Sequence, residues 1–171
     1  MNYLVVIVWL CIGVQSVEPT MQETVDWLTK NLPIKASYSG GDGEGETSFT
    51  VTEAGITDCV CKLTTMHQIS VKGGLLPPMT TRQRVSIPFA SIAPEKIHLE
   101  TSTINTPHQI SLWLSVAHDA KLITTEDVVR RRSEMRALTV LYFGDRPTAE
   151  RFVKAFKRLA TLCQQSGKEP F

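Results

Sequence analysis

Three cysteines have the most chemically versatile side chains in this sequence. Cys59 and Cys61 are separated by one residue, and Cys163 lies near the C-terminus. On an extended strand, residues two apart point to the same side, so the first two thiols could together bind a soft metal such as zinc. A zinc site usually needs two further ligands. The candidate histidines do not have the spacing of a zinc-binding motif. They are His67, His98, His108 and His118.

Two other interpretations of the cysteines are open. The preferred one treats Cys59 and Cys61 as small apolar side chains of the core, because free cysteine is among the most buried residue types. The second joins one of them to Cys163, which lies on the apolar face of a predicted C-terminal helix. Such a bridge would close a loop of about 100 residues and would add about 2–4 kcal/mol to stability.

The sequence contains no arrangement that indicates catalysis. His118 is followed by Asp119, but adjacent residues on an extended chain point in opposite directions, so the pair does not form a catalytic dyad. The nucleophile-elbow, zinc-protease and phosphate-loop motifs are missing from the sequence. We therefore expect a non-enzymatic protein that uses neither a metal nor a cofactor.

Two features could form a binding surface. The densest charge consists of four arginines, Arg130, Arg131, Arg132 and Arg136, which could meet an acidic partner, a carboxylate ligand or an anionic membrane. We favour a solvated loop instead, because acidic neighbours cancel much of this charge, namely Glu126, Asp127 and Glu134.

The second feature is Trp113, which alternates against an apolar stripe of Ile110, Leu112 and Leu114. Trp113 therefore faces away from that stripe, and two interpretations are open. Either the first predicted helix covers it, which we favour, or it is an exposed aromatic side chain that marks a binding surface.

The N-terminus resembles a secretory leader. Residues Met1–Gln15 carry no charged side chain, and Tyr3–Val14 is almost continuously apolar. As a helix this run would rise about 18 Å, which is short of the ~30 Å hydrocarbon core but fits the apolar region of a signal peptide. We predict cleavage after Ser16, a secreted or periplasmic protein, and no transmembrane span after removal of the leader. The usual basic residue of such leaders is missing, and Leu10 disfavours lipidation of Cys11.

Composition excludes some classes of protein. The chain has 171 residues, with 18 basic and 17 acidic side chains and a net charge of +1. This balance argues against nucleic-acid binding, which needs a basic excess. The length suits one domain after the leader. Three cysteines in the mature chain do not indicate a disulfide-rich scaffold.

The predicted elements are two helices flanking a β-rich middle, which is an α+β domain. Thr20 and Glu23 form a capping box for a helix from Met21 to Leu32, and Pro33 ends that helix. Ser37–Gly45 reads as a glycine-rich linker. Six or seven antiparallel strands follow up to Phe143. They include runs at 47–53 and 57–65 that are separated by Gly55, and His118–Glu134 is expected to be a loop or a short helix.

The C-terminal helix is predicted from Pro147 to Cys163, with Asp145 as its cap. Glu150 and Lys154 are expected to form an i,i+4 ion pair on its outer face. The predicted organisation is a leader at 1–16, a helix and linker at 17–45, a β-rich domain with its C-terminal helix at 46–165, and a short tail at 166–171.

A final strand at Arg136–Phe143, a Gly144-Asp145 turn and one amphipathic helix resemble the pleckstrin-homology-like superfamily. The resemblance implies two antiparallel sheets in a half-open barrel or sandwich, with the helix at one open corner and Phe156 in the central position usually held by Trp. Many members bind phosphoinositides through basic residues between the first two strands. Here the predicted connection, Glu53–Ile56, has neither Lys nor Arg, so that function is not expected.

These observations favour an exported, non-enzymatic binding or interaction module whose ligand the sequence does not identify. One alternative is an exported metal- or thiol-dependent enzyme that uses Cys59 and Cys61. Another is a carrier that holds an apolar small molecule inside the half-open barrel. The oligomeric state is left open.

Overall fold

A computed structural model of the chain describes residues 18–39, 45–71, 77–103 and 109–166. Within these ranges the α+β prediction is confirmed, with nine strands rather than six or seven between two helices. The predicted leader and most of the predicted tail lie outside the described residues. No helix in these ranges is both long and apolar enough to cross a membrane. The elements are α1 Met21–Asn31, β1 Lys35–Ser39, β2 Gly45–Thr57, β3 Val60–Val71, β4 Met79–Pro88, β5 His98–Ser102, β6 Gln109–Ser115, β7 Ile123–Asp127, β8 Arg132–Arg136, β9 Leu138–Phe143 and α2 Arg146–Ser166.

Helix α1 begins at the predicted capping box. The Glu23 amide donates to Thr20 Oγ1 at 3.2 Å, and the Thr20 amide donates to the Glu23 carboxylate at 2.8 Å. These bonds satisfy amides that the first turn would otherwise leave free. The bond from the Thr20 amide, and then that from its hydroxyl, lowers the pKa of Glu23. The helix buries Leu28 and, just beyond its end, Leu32.

The larger sheet is antiparallel, with the strand order β1-β2-β3-β4-β7-β8. Two sequence predictions are wrong here. Lys35–Ser39 is a strand rather than the start of a linker, and β2 continues through Gly55 with a bulge between Val51 and Glu53. The chain reverses at Asp58 and Cys59 instead, with φ angles of 48° and 60°. Two successive positive φ angles are those of a type I′ turn, which matches the twist of a β-hairpin.

A third wrong prediction concerns His118–Glu134, which contains β7 and the start of β8 rather than only a loop or a short helix. In β7 the residues Ile123 and Thr125 are buried, whereas every residue of β8 is exposed. A hairpin with so few buried positions shows little hydrophobic alternation, so the sequence pattern does not reveal it.

The smaller sheet has the order β5-β6-β9 and does not close with the larger one into a barrel, which fits the sandwich form of the prediction. Helix α2 packs against the core between them. Phe156 lies on Phe89 with ring centres 5.3 Å apart, and Phe152 contacts Phe143 at 5.0 Å. Asp145 caps α2 as predicted, since its Oδ1 accepts the Thr148 amide at 2.8 Å. Burial of these rings fixes the helix on the sheets.

Candidate functional site

A disulfide joins Cys59 to Cys163, with Cα atoms 5.7 Å apart and 104 positions between them in sequence. The bridge interpretation is therefore confirmed, and the core interpretation holds only for Cys61, which is free and buried. Burial raises the pKa of the Cys61 thiol to about 12, so this thiol is protonated and unreactive at neutral pH. Cys59 lies in the β2–β3 turn rather than on a strand face, which lets its sulfur reach α2.

The described residues offer little to the metal hypothesis. In these parts of the chain, no group of three His, Cys, Asp or Glu side chains is arranged to hold a metal ion. Cys59 is not available as a thiolate ligand because it is oxidised. His108 and the side chain of Asp119 lie outside what the structure describes, and His118 occupies a short 3-10 turn with φ of 56°.

The register of the larger sheet brings several predicted binding residues onto one face. Gln83, Asp127 and Arg132 lie directly opposite one another across β4, β7 and β8. One pleat further along, Val85 and Thr125 are opposite each other and buried. Residues two apart share a face, so Gln83 and Arg132 are on the core side of the sheet. Gln83 and Arg132 lie beyond the buried part of that face, which contains Val85 and Thr125. Because this end of the face is not covered by the core, it can hold polar side chains.

This uncovered part contains two concavities of about 460 and 290 Å³, which share Gln83 and Arg136 in their walls. The first also contains Arg130 and Arg132. The second extends to His67 and Tyr142. We call this combined feature the arginine cleft; its polar walls are formed by His67, Gln83, Arg130, Arg132, Arg136 and Tyr142.

The arginines of the cleft differ in how far their charge is engaged. Asp127 accepts the amides of Val129 and Arg130 at 3.0 and 2.9 Å, and its carboxylate is 3.9 Å from the Arg130 guanidinium. Arg136 contacts Glu134. Among the described residues, the side chain of Arg132 has neither an acidic partner nor a hydrogen bond, although its backbone belongs to the β7–β8 ladder. The cleft therefore has three arginines against two carboxylates, with Arg132 free to meet an anion.

Aromatic rings close the other end of the cleft. His67 lies 4.9 Å from Phe49 and 5.9 Å from Tyr142, measured between ring centres. Burial lowers the pKa of His67 and raises that of Tyr142, so both side chains are neutral at neutral pH. This end can donate and accept hydrogen bonds without adding charge.

The structure brings together only some of the predicted binding residues. Arg130 and Arg132 share the cleft with Arg136, whereas Arg131 is exposed in the turn with φ of 53° and does not line the cleft. Gln83 was not among the predicted binding residues. Its signal was a polar residue in phase with Val85 and Ile87 on the core side of a strand.

Trp113 does not itself line the cleft, although Val140, directly opposite it on β9, does. It is not covered by α1, contrary to the favoured prediction. Helix α1 instead packs on α2, where the Trp27 ring is 5.0 Å from Phe152. Trp113 is half-buried on β6 beside His98, with parallel rings 6.3 Å apart. Its buried Nε1 has no hydrogen-bond partner within the described part of the chain. The apolar side of α1 packs on α2 and also contacts β2 of the larger sheet.

No protein-family model, curated protein or solved structure matches this chain.

Proposed function

We propose that this chain is a non-enzymatic binding module that acts outside the cytoplasm and recognises an acidic ligand in the arginine cleft. The observation that carries the proposal is that Arg130, Arg132 and Arg136 line one cleft. The sequence placed Arg130 and Arg132 in a predicted loop and Arg136 at the start of the predicted final strand. Guanidinium groups bind carboxylates through paired hydrogen bonds, and Arg132 is not engaged by any described acid.

Export is supported by two independent observations. The apolar run at Tyr3–Val14 has the length of a signal-peptide core. The Cys59–Cys163 bridge is of a kind that persists in oxidising compartments and is rare in the cytosol. We keep the pleckstrin-homology-like resemblance as part of this proposal. Phe156, which is fully buried against Phe89, supports it at the centre of α2.

The shape of the cleft favours an extended acidic segment over a compact ion. Its charged end and its aromatic end are joined through Gln83 and Arg136, so a ligand that fills it would place carboxylates near Arg132 and an uncharged part near Tyr142. An acidic peptide with a neutral or aromatic residue beside its carboxylates has this chemistry.

The test is a binding measurement with fluorescein-labelled hexaglutamate, compared with hexalysine, on the oxidised full chain. The variant Arg132→Gln/Arg136→Gln should weaken hexaglutamate binding about tenfold, because each charge-assisted hydrogen bond contributes roughly 1.5–3 kcal/mol before solvent screening. The control Lys62→Gln/Arg84→Gln removes two cations from the opposite face of the same sheet. We call it the sheet-face control, and it should bind within about twofold of the wild type.

Fluorescence anisotropy at two salt concentrations gives the affinities. The proposal is overturned if the wild type does not bind hexaglutamate, or if the sheet-face control loses as much affinity as the cleft variant. The second result would mean that net charge, rather than the cleft, attracts the peptide.

A further inference from the structure

A separate groove of about 650 Å³ runs between α1 and α2, away from the arginine cleft. Trp27 and Thr24 form its α1 side. Arg151, Lys154, Ala155 and Arg158 form its α2 side. Its volume lies within the roughly 300–1,000 Å³ range of small-molecule sites.

Two cations in the basic wall of this groove form no ion pair with the described residues. The sequence predicted an ion pair between Glu150 and Lys154. Glu150 instead forms its ion pair with Arg146, at 2.9 Å. Among the described residues, Arg151 and Lys154 consequently have no acidic partner. Arg158 differs, because it contacts Glu18 and donates to the Pro19 carbonyl at 3.1 Å.

Glu23, the acidic residue that lines the groove, forms no ion pair with Arg151 or Lys154 among the described residues. Glu23 is committed to the capping box, where its carboxylate accepts from the amide and the hydroxyl of Thr20 at 2.8 and 2.9 Å. The side chains Arg151 and Lys154 are one turn apart on α2, so both can reach one anion from the same side.

The floor of the groove is apolar. Trp27 is half-buried with one side of its ring system against Phe152, and Ala155 adds a methyl group beside it. Thr24 is 4% exposed, and its hydroxyl already donates to the Thr20 carbonyl at 2.8 Å. Among the described residues, the floor therefore offers contact area without a buried, unsatisfied side-chain polar atom.

We propose that this groove binds a small amphipathic carboxylate. Its apolar part lies on Trp27 and Ala155, and its carboxylate lies between Arg151 and Lys154. A neutral apolar molecule would leave both cations unpaired, and a cation would be repelled by them, so charge complementarity selects an anion. This site is independent of the acidic ligand proposed for the arginine cleft.

The experiment uses the full chain with Trp9→Phe and Trp113→Phe, in which Trp27 is the single remaining tryptophan of the three. Octanoate, 1-octanol and octylammonium have the same chain length and differ in the charge of the head group. Octanoate should change the Trp27 emission saturably, and the other two should bind at least about tenfold more weakly. Isothermal titration calorimetry provides a second readout.

The variant Arg151→Gln/Lys154→Gln should reduce octanoate affinity about tenfold, whereas the sheet-face control should keep it. Binding of hexaglutamate should be unchanged in the groove variant, which separates failure here from failure in the cleft. Three results would overturn the proposal: no saturable change of Trp27 emission in either the full chain or a chain beginning at Val17, equal binding of octanol, or an equal loss of octanoate affinity in the sheet-face control.

Two other occupants are outcomes of the same titration. If the full chain does not bind but a chain beginning at Val17 does, the apolar leader occupies the groove. If octanoate binding is accompanied by dissociation of a dimer in analytical ultracentrifugation, the groove is an interface between two copies. The first result would support a carboxylate site in the mature chain, from which the leader has been removed. The second result would overturn the proposal.

Discussion

His67 is a titratable residue enclosed by aromatic rings, between Phe49 and Tyr142 at the inner end of the arginine cleft. Burial lowers its pKa below the ordinary value of 6.5 because the surroundings penalise the charged imidazolium. Below pH 6.5 the unfolded chain therefore binds a proton at this residue that the folded chain binds only at lower pH.

We predict that the free energy of unfolding decreases as the pH falls from 6.5 towards the lowered pKa of folded His67. The sign follows from linkage, since stability rises with pH wherever the unfolded state holds more protons. Urea unfolding between pH 7.5 and 5 measures the slope. His67→Gln should flatten it, and Gln68→Ala, on the other face of β3, should keep it. An unchanged slope in His67→Gln would show that another group causes the dependence.

At the scale of elements, both helices depend on polar caps that the sequence shows directly. We predict that Asp145→Ala lowers the free energy of unfolding by about 1 kcal/mol, because the Thr148 amide loses its acceptor. Asp145→Asn preserves an oxygen in the same place, so its free energy of unfolding should fall much less. Chemical denaturation distinguishes them. Equal losses in both variants would indicate that the negative charge near the helix N-terminus, rather than the hydrogen bond, stabilises α2.

The elements differ in how well sequence predicted them, and the reason is the range of the interactions involved. The caps and the apolar stripe of α2 involve residues within four positions of each other, so pattern and propensity predicted its ends within a few residues. The β2–β3 turn depends on pairing between Ile56 and Cys61, and no glycine at the turn indicates it. The arginine cleft depends on three strands in register. It could therefore be predicted only as a cluster of charge, without its shape.

At the scale of the whole molecule, the Cys59–Cys163 bridge connects the hairpin of the larger sheet to α2. We predict that Cys59→Ala/Cys163→Ala lowers the free energy of unfolding by about 2–4 kcal/mol, because a long loop of the unfolded chain is no longer closed. Dithiothreitol should have the same effect on the wild type and no effect on the double variant.

Thiol accessibility provides the control for this prediction. Cys61 is buried, so iodoacetamide without reductant should label it only after unfolding, and intact mass should show Cys59 and Cys163 unlabelled in both states. Labelling of Cys59 in the native protein would contradict the bridge. A double variant as stable as the wild type would show instead that core packing alone holds α2 in place.

The sequence by itself determined the α+β class, the two capped helices and the apolar alternation of strands such as β4 and β6, because each depends on neighbours close in the chain. It left open whether Cys59 and Cys61 are core residues or one of them is bridged to Cys163. Only the tertiary structure decided that Cys59 is the partner and that Arg130 and Arg132 share a cleft with Arg136. It also showed that α1 covers α2 rather than Trp113. These outcomes depend on strand register and on which apolar surfaces meet, and such long-range choices are settled by packing of the whole core.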